Sequence, residues 1–571
     1  MSIRKIWKLI PPSVPASQFA NETGLTPLQA QLLLNRGFSD PQQVESFLFP
    51  RLANMADPML LKDMDDALSV ILKAIDNKEK ITIYGDYDAD GLTATALLIN
   101  FFSSLDIKVS CYIPNRLKEG YSLNNEAIKK ISKNGTRLII TVDCGISNKK
   151  EIIFAKSLGI NVIVTDHHQI PEGFKASCPV INPNQPDCRF PFKHLAGVGV
   201  AFFLSVAIRA ALRKRNWFGT GPMPDLKEHL GLVALGTVAD RVPLLDQNRI
   251  LVNSGIEAMS VSRWPWIIAM KESACAANSK ITAEDLAFRF APRLNAPGRL
   301  GDPVIGMQIL TTEDQVLADE HAETLNKENS KRQRVERRIL GHIEDIIRAE
   351  KGIGDRRVLI FGGEGEIWHR GVLGIVASRL VDLYHRPSLV FGIQDGLAVG
   401  SGRSITGFNI FRALTRLEYL FERFGGHALA AGFTFKAVNL DILRSELELI
   451  ARETMDDEDF LPVIDVDAEI SFQDITPEMI GQIRALSPFG EGNPEPLFLT
   501  RSLKVLESRI VGANHLKLKL QQGKKIHEAI GFGLADRHPI NGSVVNVVFT
   551  PEINQWQGYK RVQLRIVDIQ T

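Results

Sequence analysis

From about Lys80 onward, short apolar runs alternate with stretches of helical spacing. KITIYGDYDADG, IKVSCYIPNR, TRLIITVDCG and INVIVTDHH each open on strand-like residues, and most close on acids or glycines. Strand, helix, strand is the βαβ unit, so the pattern predicts a parallel sheet covered by helices. Before it, residues 1 to about 75 read as mostly helical, with Asp40-Pro41 as a helix start and Pro50 as a stop. Between Glu313 and Glu350 there is no proline and one glycine, Gly341. The spacing there predicts one long helix, or two with a kink, joining two lobes. A second, glycine-rich α/β segment follows to about Arg452. From Phe460 the pieces HLKLKL, SVVNVVFT and RVQLRIVDI, separated by turns, predict a small β-barrel of the OB type.

At 571 residues the chain exceeds what one hydrophobic core supports, so several domains are expected. The N-terminal MSIRKIWKLIPP has no apolar run of signal-peptide length, and no stretch approaches ~20 uncharged apolar residues. Five cysteines, an odd number without CxxC spacing, argue for reduced thiols. Together these predict a cytoplasmic protein. The net charge of +1 gives no general attraction to nucleic acid. The charge is local: from Arg501 to the end there are eleven Lys/Arg and five Asp/Glu. Any phosphate-binding surface must be a patch.

The chemistry gathers where strands end. Asp86, Asp88 and Asp90 follow KITIY at alternate positions, so in an extended segment their carboxylates point the same way. IITV ends in Asp143, VIVT in Asp166-His167-His168, and LVALGTVA in Asp240. Ligand sites of open parallel sheets lie beyond the carboxyl ends of the strands. Carboxylates brought together there repel one another unless cations intervene. Oxygen-rich ligation with imidazole and without thiolate favours Mn²⁺ or Mg²⁺. Two such ions sharing a carboxylate are suited to phosphoester hydrolysis.

The run VTDHH is the signature of the DHH phosphoesterases, and GDYDADG, VDCG and TVAD stand in that superfamily's order. IPNRLKEGYSLN, AGVGVAF, PRLNAPGRL, WHRGVLGIVASRL, GSGRSI, GGHALAAGF and PFGEGNPEP resemble the successive signatures of its RecJ family, over nearly the whole chain. The resemblance implies a 5′→3′ exonuclease that hydrolyses single-stranded DNA to 5′-mononucleotides, in DNA recombination and repair. It implies two divalent ions, Mn²⁺ or Mg²⁺, with Asp88, Asp90, Asp143, His167 and Asp240 as ligands and Asp143 bridging. Asp86 is implied as an accessory ligand or an orienting group. Asp166 would hold an imidazole in place, and His168 would face the scissile phosphate. Several smaller relatives carry a histidine where this chain has Tyr84, a poor ligand at neutral pH, so Asp86 or water would complete that ion's shell.

The second α/β segment resembles the DHH-associated domain, which implies that Ser401, Arg403, Ser404 and His427 serve phosphate binding. Arg116 and Arg299, in Gly/Pro-rich surroundings, could grip a terminal 5′-phosphate. In the barrel, Lys517, Lys519, Lys524 and Lys525, with Trp556, Tyr559, Lys560, Arg561 and Arg565, suit sequence-tolerant binding of a single strand. A single-strand-binding protein and a helicase are partners by resemblance, and a monomer is expected. The alternative is a DHH phosphodiesterase acting on short oligonucleotides or cyclic dinucleotides. The expected layout is a helical extension (1–75), a parallel-sheet DHH domain (76–310), a connecting helix (311–352), a DHH-associated domain (353–455) and an OB-like domain (456–571).

Overall fold

The computed structural model describes residues 4–570 apart from 12–14, 117, 121, 275–279 and 557–558, and excludes the side chains of 555–560. It divides into two compact units, Glu45–Arg332 with Pro488–Pro494, and Met1–Val44 with Gln333–Ser487 and Glu495–Thr571.

The first unit holds the parallel sheet. Its strands run Val109–Tyr112, Ile81–Tyr84, Leu138–Val142, Asn161–Thr165, Val180–Ile181 across the sheet, every neighbouring pair parallel. In chain order this is 2-1-3-4-5, so the direction of winding reverses between Ile81–Tyr84 and Leu138–Val142. Alternation splits the strands between two cores. Leu138, Ile140, Val142 and Ile163 face one, while Ile139, Val162 and Val164 face the other. Both faces are covered, which is why the strands read as continuous apolar runs. The larger core is filled by the helices Ala89–Ser103, Gly197–Lys214 and Leu230–Ala239. The third has nearly every residue buried, as an all-apolar helix must.

The second unit contains two further sheets and a short pair. One sheet runs Phe421–His427, Ala430–Lys436, Leu397–Arg403, Ser388–Gln394, Leu359–Glu364, with only the last pair parallel. The other closes into a barrel. Phe498–Val511 pairs with His515–Gln522, which pairs with Lys525–Gly531, and that strand with Tyr559–Gln570. Tyr559–Gln570 pairs with Val544–Trp556, which returns to Phe498–Val511. Closure with its third and fifth strands parallel is the OB arrangement, with no free edge inside the barrel. Leu516, Leu518 and Leu520 point into it and are buried.

The helix Gln315–Ala349 is one continuous element of 35 residues, not two. The N-terminal stretch is mostly helical, with Ala16–Thr23, Pro27–Asn35, Pro41–Leu48 and Met64–Asp76, but it opens on Ile6–Leu9, a strand parallel to Val463–Val466. Trp7 Nε1 donates to Asp568 at 2.8 Å. A four-residue strand that pairs over 450 positions away leaves no local periodicity to detect. No helix among the described residues is long and apolar enough to cross a membrane.

Candidate metal centre

The acids do not form an extended ladder. Asp88 caps the helix Ala89–Ser103, its Oδ1 accepting the N–H groups of Asp90 (3.0 Å) and Gly91 (3.1 Å). Asp90 therefore sits in the first helical turn, and the alternate-position reading fails because the chain is already helical. Asp90 instead reaches the start of Gly197–Lys214. Its two oxygens accept the backbone N–H of Gly197 at 2.6 Å and of Val198 at 2.9 Å. A helix N-terminus stabilises that carboxylate.

Asp143 ends the strand Leu138–Val142 with φ +60°, a left-handed conformation that Asp tolerates better than most residues. Asp166 ends the next strand and is buried. Its Oδ1 accepts the N–H of His167 and His168 and meets His168 Nδ1 at 2.8 Å, while Oδ2 accepts the Ile146 N–H. Asp240 follows the last residue of Leu230–Ala239, at a helix C-terminus that itself favours a cation.

These endings meet at the winding reversal. Ligand atoms of Asp86, Asp88 and Asp143 lie within 4.8 Å of one another, as do those of Asp90, His167 and Asp240. Asp143, His167 and His168 form a third such group. His167 Nε2 is 3.0 Å from Asp143 Oδ1, 3.6 Å from Asp240 Oδ2 and 3.8 Å from Asp90 Oδ2.

The electrostatics follow from crowding. Burial, then the neighbouring Asp90 and Asp88, push the Asp240 carboxyl up to about 9. Burial and Asp88 push Asp90 to about 7. Asp86 and Asp143 stand well above the usual carboxylate range, mainly through burial and then through Asp88 and Asp90 respectively. Burial lowers His167 to about 4, a neutral imidazole. Burial also opposes charge on His168, but the hydrogen bond and charge of Asp166 raise it to about 9. Asp166 stays below its ordinary range despite burial, because His168 answers it.

The residues fit a pair of hard divalent cations. The donors are carboxylate oxygens and imidazole nitrogens, and Asp86 Oδ1 and His167 Nε2 are buried without a hydrogen bond among the described residues. The neighbouring thiol of Cys144 is turned away, toward the Tyr84 carbonyl at 3.8 Å. Tyr84 is no part of the cluster. Its hydroxyl donates to Ser122 O at 3.0 Å and its ring stacks on Tyr112, with centroids 5.3 Å apart.

Several supporting residues went unread in the sequence. Asn295 Oδ1 accepts the Ala89 N–H at 2.7 Å, fixing the start of the acidic helix. Asn182 and Asn184 donate to the carbonyls of His168 (2.9 Å) and His167 (2.7 Å). Both lie in INPNQ, where Asn beside Pro signals an ordered turn, whereas Asn295 stands inside the helix Ala291–Leu300. Gly236 is required by crowding, since a Cβ there would stand 2.2 Å from Thr93 Oγ1 and 2.9 Å from Asp90 Oδ1. Pro488–Pro494, from PFGEGNPEP, braces the loop after Asp240, with Leu244 N–H donating to Glu491 O at 2.8 Å.

Arg116 lies over the Tyr87 ring at 5.3 Å, and Arg299 also acts on Tyr87, so both stand beside the acidic loop. In the second unit, Arg403, Ala430 and His427 are in register on adjacent strands. Arg403 Nη1 donates to Ser401 Oγ at 2.9 Å. Gly374 lets the start of the helix Leu373–Tyr384 approach this pair, for a Cβ there would stand 3.1 Å from both Arg403 Nη2 and Ser401 Oγ. Ser404 is not part of that face. It is buried and donates to Phe408 O at 2.6 Å.

On the barrel, Lys517 and Lys519 point outward but pair across strands with Glu528 (3.1 Å) and Glu507 (3.2 Å). The cationic face expected there is thus largely a ladder of opposite charges. Arg565 is likewise paired, with Glu495. The side chains of Trp556, Tyr559 and Lys560 lie outside the described residues.

A 2-1-3-4-5 parallel sheet gathering a two-part carboxylate and imidazole cluster at its switch point is the architecture of a DHH phosphoesterase, and the DHH family N-terminal domain matches residues 80–237. The DHHA1 domain matches 356–453 and the RecJ OB domain 466–568. The chain belongs to the RecJ family. It is 36% identical over 561 residues to the single-stranded-DNA-specific exonuclease RecJ of Escherichia coli, covering 95% of this chain and 96% of that protein. It is 38% identical over 550 residues to RecJ of Bacillus subtilis, covering 95% of this chain and 68% of that protein. A crystal structure of RecJ in complex with Mn²⁺ from Thermus thermophilus matches with a TM-score of 0.83 and 29% identity, covering all of this chain and 80% of that one.

Proposed function

We propose that this chain hydrolyses single-stranded DNA from its 5′ end to 5′-mononucleotides, with two divalent cations, Mn²⁺ or Mg²⁺, held in the acidic cluster. The observation that carries this reading is the position of Asp143, which belongs to the Asp86–Asp88 group and also stands 3.0 Å from the imidazole of the Asp90–Asp240 group. Asp88, Asp90, Asp143, His167 and Asp240 are the ligands, and Asp86 joins them as a ligand in its own right. When bound, the cations acidify a water and neutralise charge developing on the phosphoryl oxygens.

The chain's own groups do the remainder. Asp166 accepts from His168 Nδ1, which orients the ring and favours its charged form, so that Nε2–H also stands on the ring's partly exposed edge. From there the charged imidazole donates to a phosphoryl oxygen. Arg116 and Arg299 hold the terminal 5′-phosphate, a dianionic monoester that an internal phosphate does not match. Ser401, Arg403 and His427 hold backbone phosphates with the help of the helix start at Leu373. Lys517, Lys519 and Trp556 belong to a barrel that binds the strand without reading sequence. The protein acts as a monomer in the cytoplasm, in DNA recombination and repair, with a single-strand-binding protein and a helicase as partners.

The test is hydrolysis of a long single strand labelled at its 5′ end, beside the 3′-labelled strand and the duplex, with Mn²⁺, Mg²⁺ or EDTA. Immediate release of labelled mononucleotide from the single strand alone, and only with metal, is the expected result. Survival of the long strand while dinucleotides or cyclic dinucleotides are cut overturns it.

A further inference from the structure

The segment Leu286–Phe290 is a turn of π-helix leading directly into the helix Ala291–Leu300. Single π-turns are rare and often lie at functional sites. The wider turn separates two phenylalanines. Phe290 is fully buried in the main core, whereas Phe288 is 75% exposed. A singly exposed apolar residue is ordinary on a protein surface, so what marks Phe288 is its place on a helix that leads to the acidic loop.

That helix is part of the site. Phe288, Pro292, Asn295 and Arg299 recur at intervals of four, three and four, which places them along one face of the helix. At the far end of that face Asn295 accepts the Ala89 N–H, and Gly298 packs on the Tyr87 carbonyl, where a Cβ would stand 2.9 Å away. The face thus begins at the acidic loop and ends at Phe288, flanked by Arg289, which pairs with Asp285 at 3.1 Å, and by Arg293, whose Nη1 donates to the Arg289 carbonyl at 2.7 Å. Eleven residues of helix carry it about 16 Å from Arg299. At a stacked rise of about 3.4 Å per nucleotide this is about five nucleotides, and fewer if the strand is extended.

We propose that Phe288 is a base-stacking platform that holds the single strand a few nucleotides from its 5′ end. An aromatic face accepts any base, so the contact secures the strand without selecting sequence. The inference rests on the single-strand reading of the metal centre. It adds a point of attachment within the first unit that only strands long enough to reach Phe288 can use.

The test places 2-aminopurine at successive positions from the 5′ end of an oligothymidylate and follows its fluorescence on binding, with Ca²⁺ in place of Mn²⁺. Stacking on Phe288 predicts quenching at one register within the first five or so nucleotides, lost in Phe288→Ala and retained in Phe288→Tyr. Affinity for the long oligomer should fall about 5- to 100-fold in Phe288→Ala, the range for one base–aromatic contact. Affinity for a dinucleotide should not change. Quenching that survives Phe288→Ala, or an equal loss on the dinucleotide, overturns the platform. Failure of the wild-type protein to bind or cut single strands at all overturns the underlying reading instead, so the two failures are distinct.

Discussion

Replacing Asp143 with Asn keeps its shape and removes one charge from a buried cluster. Ligand atoms of Asp86 and Asp88 lie within 4.8 Å of Asp143. At that separation an ionised pair repels by about 3 kcal/mol at an effective dielectric of 20. Holding such a group protonated at pH 7.5 instead costs up to about 5 kcal/mol against an ordinary Asp, so the metal-free cluster relieves only part of its strain by taking up protons. Asp143→Asn should therefore stabilise the metal-free protein by about 2 kcal/mol, or about 3 °C in the melting of the unit that contains it. Mn²⁺ at a hundred times its dissociation constant adds about 2.7 kcal/mol to a protein that binds it and much less to one that has lost its bridging ligand. The order of stability should then cross. By calorimetry the variant melts above the wild type in EDTA and below it in Mn²⁺, and its hydrolysis is abolished. A variant that melts lower in both buffers, or that keeps Mn²⁺-dependent turnover, refutes the argument that repulsion among these carboxylates is what a bridging cation relieves.

Other outcomes follow from single contacts. Gly236→Ala forces a methyl to within 2.2 Å of Thr93 and 2.9 Å of Asp90, so it should destabilise by about 1–3 kcal/mol and weaken Mn²⁺ binding measured by titration calorimetry. Asp166→Asn removes the charge that keeps His168 protonated and sets an amide NH2 against the Ile146 N–H, and turnover should fall by about 10- to 100-fold; unchanged kcat would leave His168 without a part in the reaction. Arg116→Ala should narrow the rate advantage of a 5′-phosphorylated strand over a 5′-hydroxyl one by about 10-fold or more, as expected for a lost charged hydrogen bond. Lys517→Ala with Lys519→Ala should change single-strand affinity by less than about three-fold, because both ammonium groups already face glutamates.

The separate readings explain themselves in these contacts. The parallel sheet was legible because burial on both faces writes continuous apolar runs into its strands, and the acids that end those runs were legible because strand ends are where an open sheet binds ligands. The long helix and the barrel were legible for similar local reasons, through uninterrupted helix formers in one case and the alternating HLKLKL in the other.

Sequence by itself thus determined which acids and imidazoles stand at the ends of strands and helices and which elements present them, since both depend on residue type and local period. The tertiary structure alone decided how those side chains are used. It placed Asp90 on a helix start that begins over a hundred residues away, brought Asp86 into a ligand group with Asp143, and turned Tyr84 into the core. It also spent the Ser404 hydroxyl on Phe408 and set Lys517 and Lys519 against glutamates on neighbouring strands. Apart from the four-residue step from Ser404 to Phe408, these contacts join separate elements, fixed by packing and register, and no local pattern in the chain encodes them.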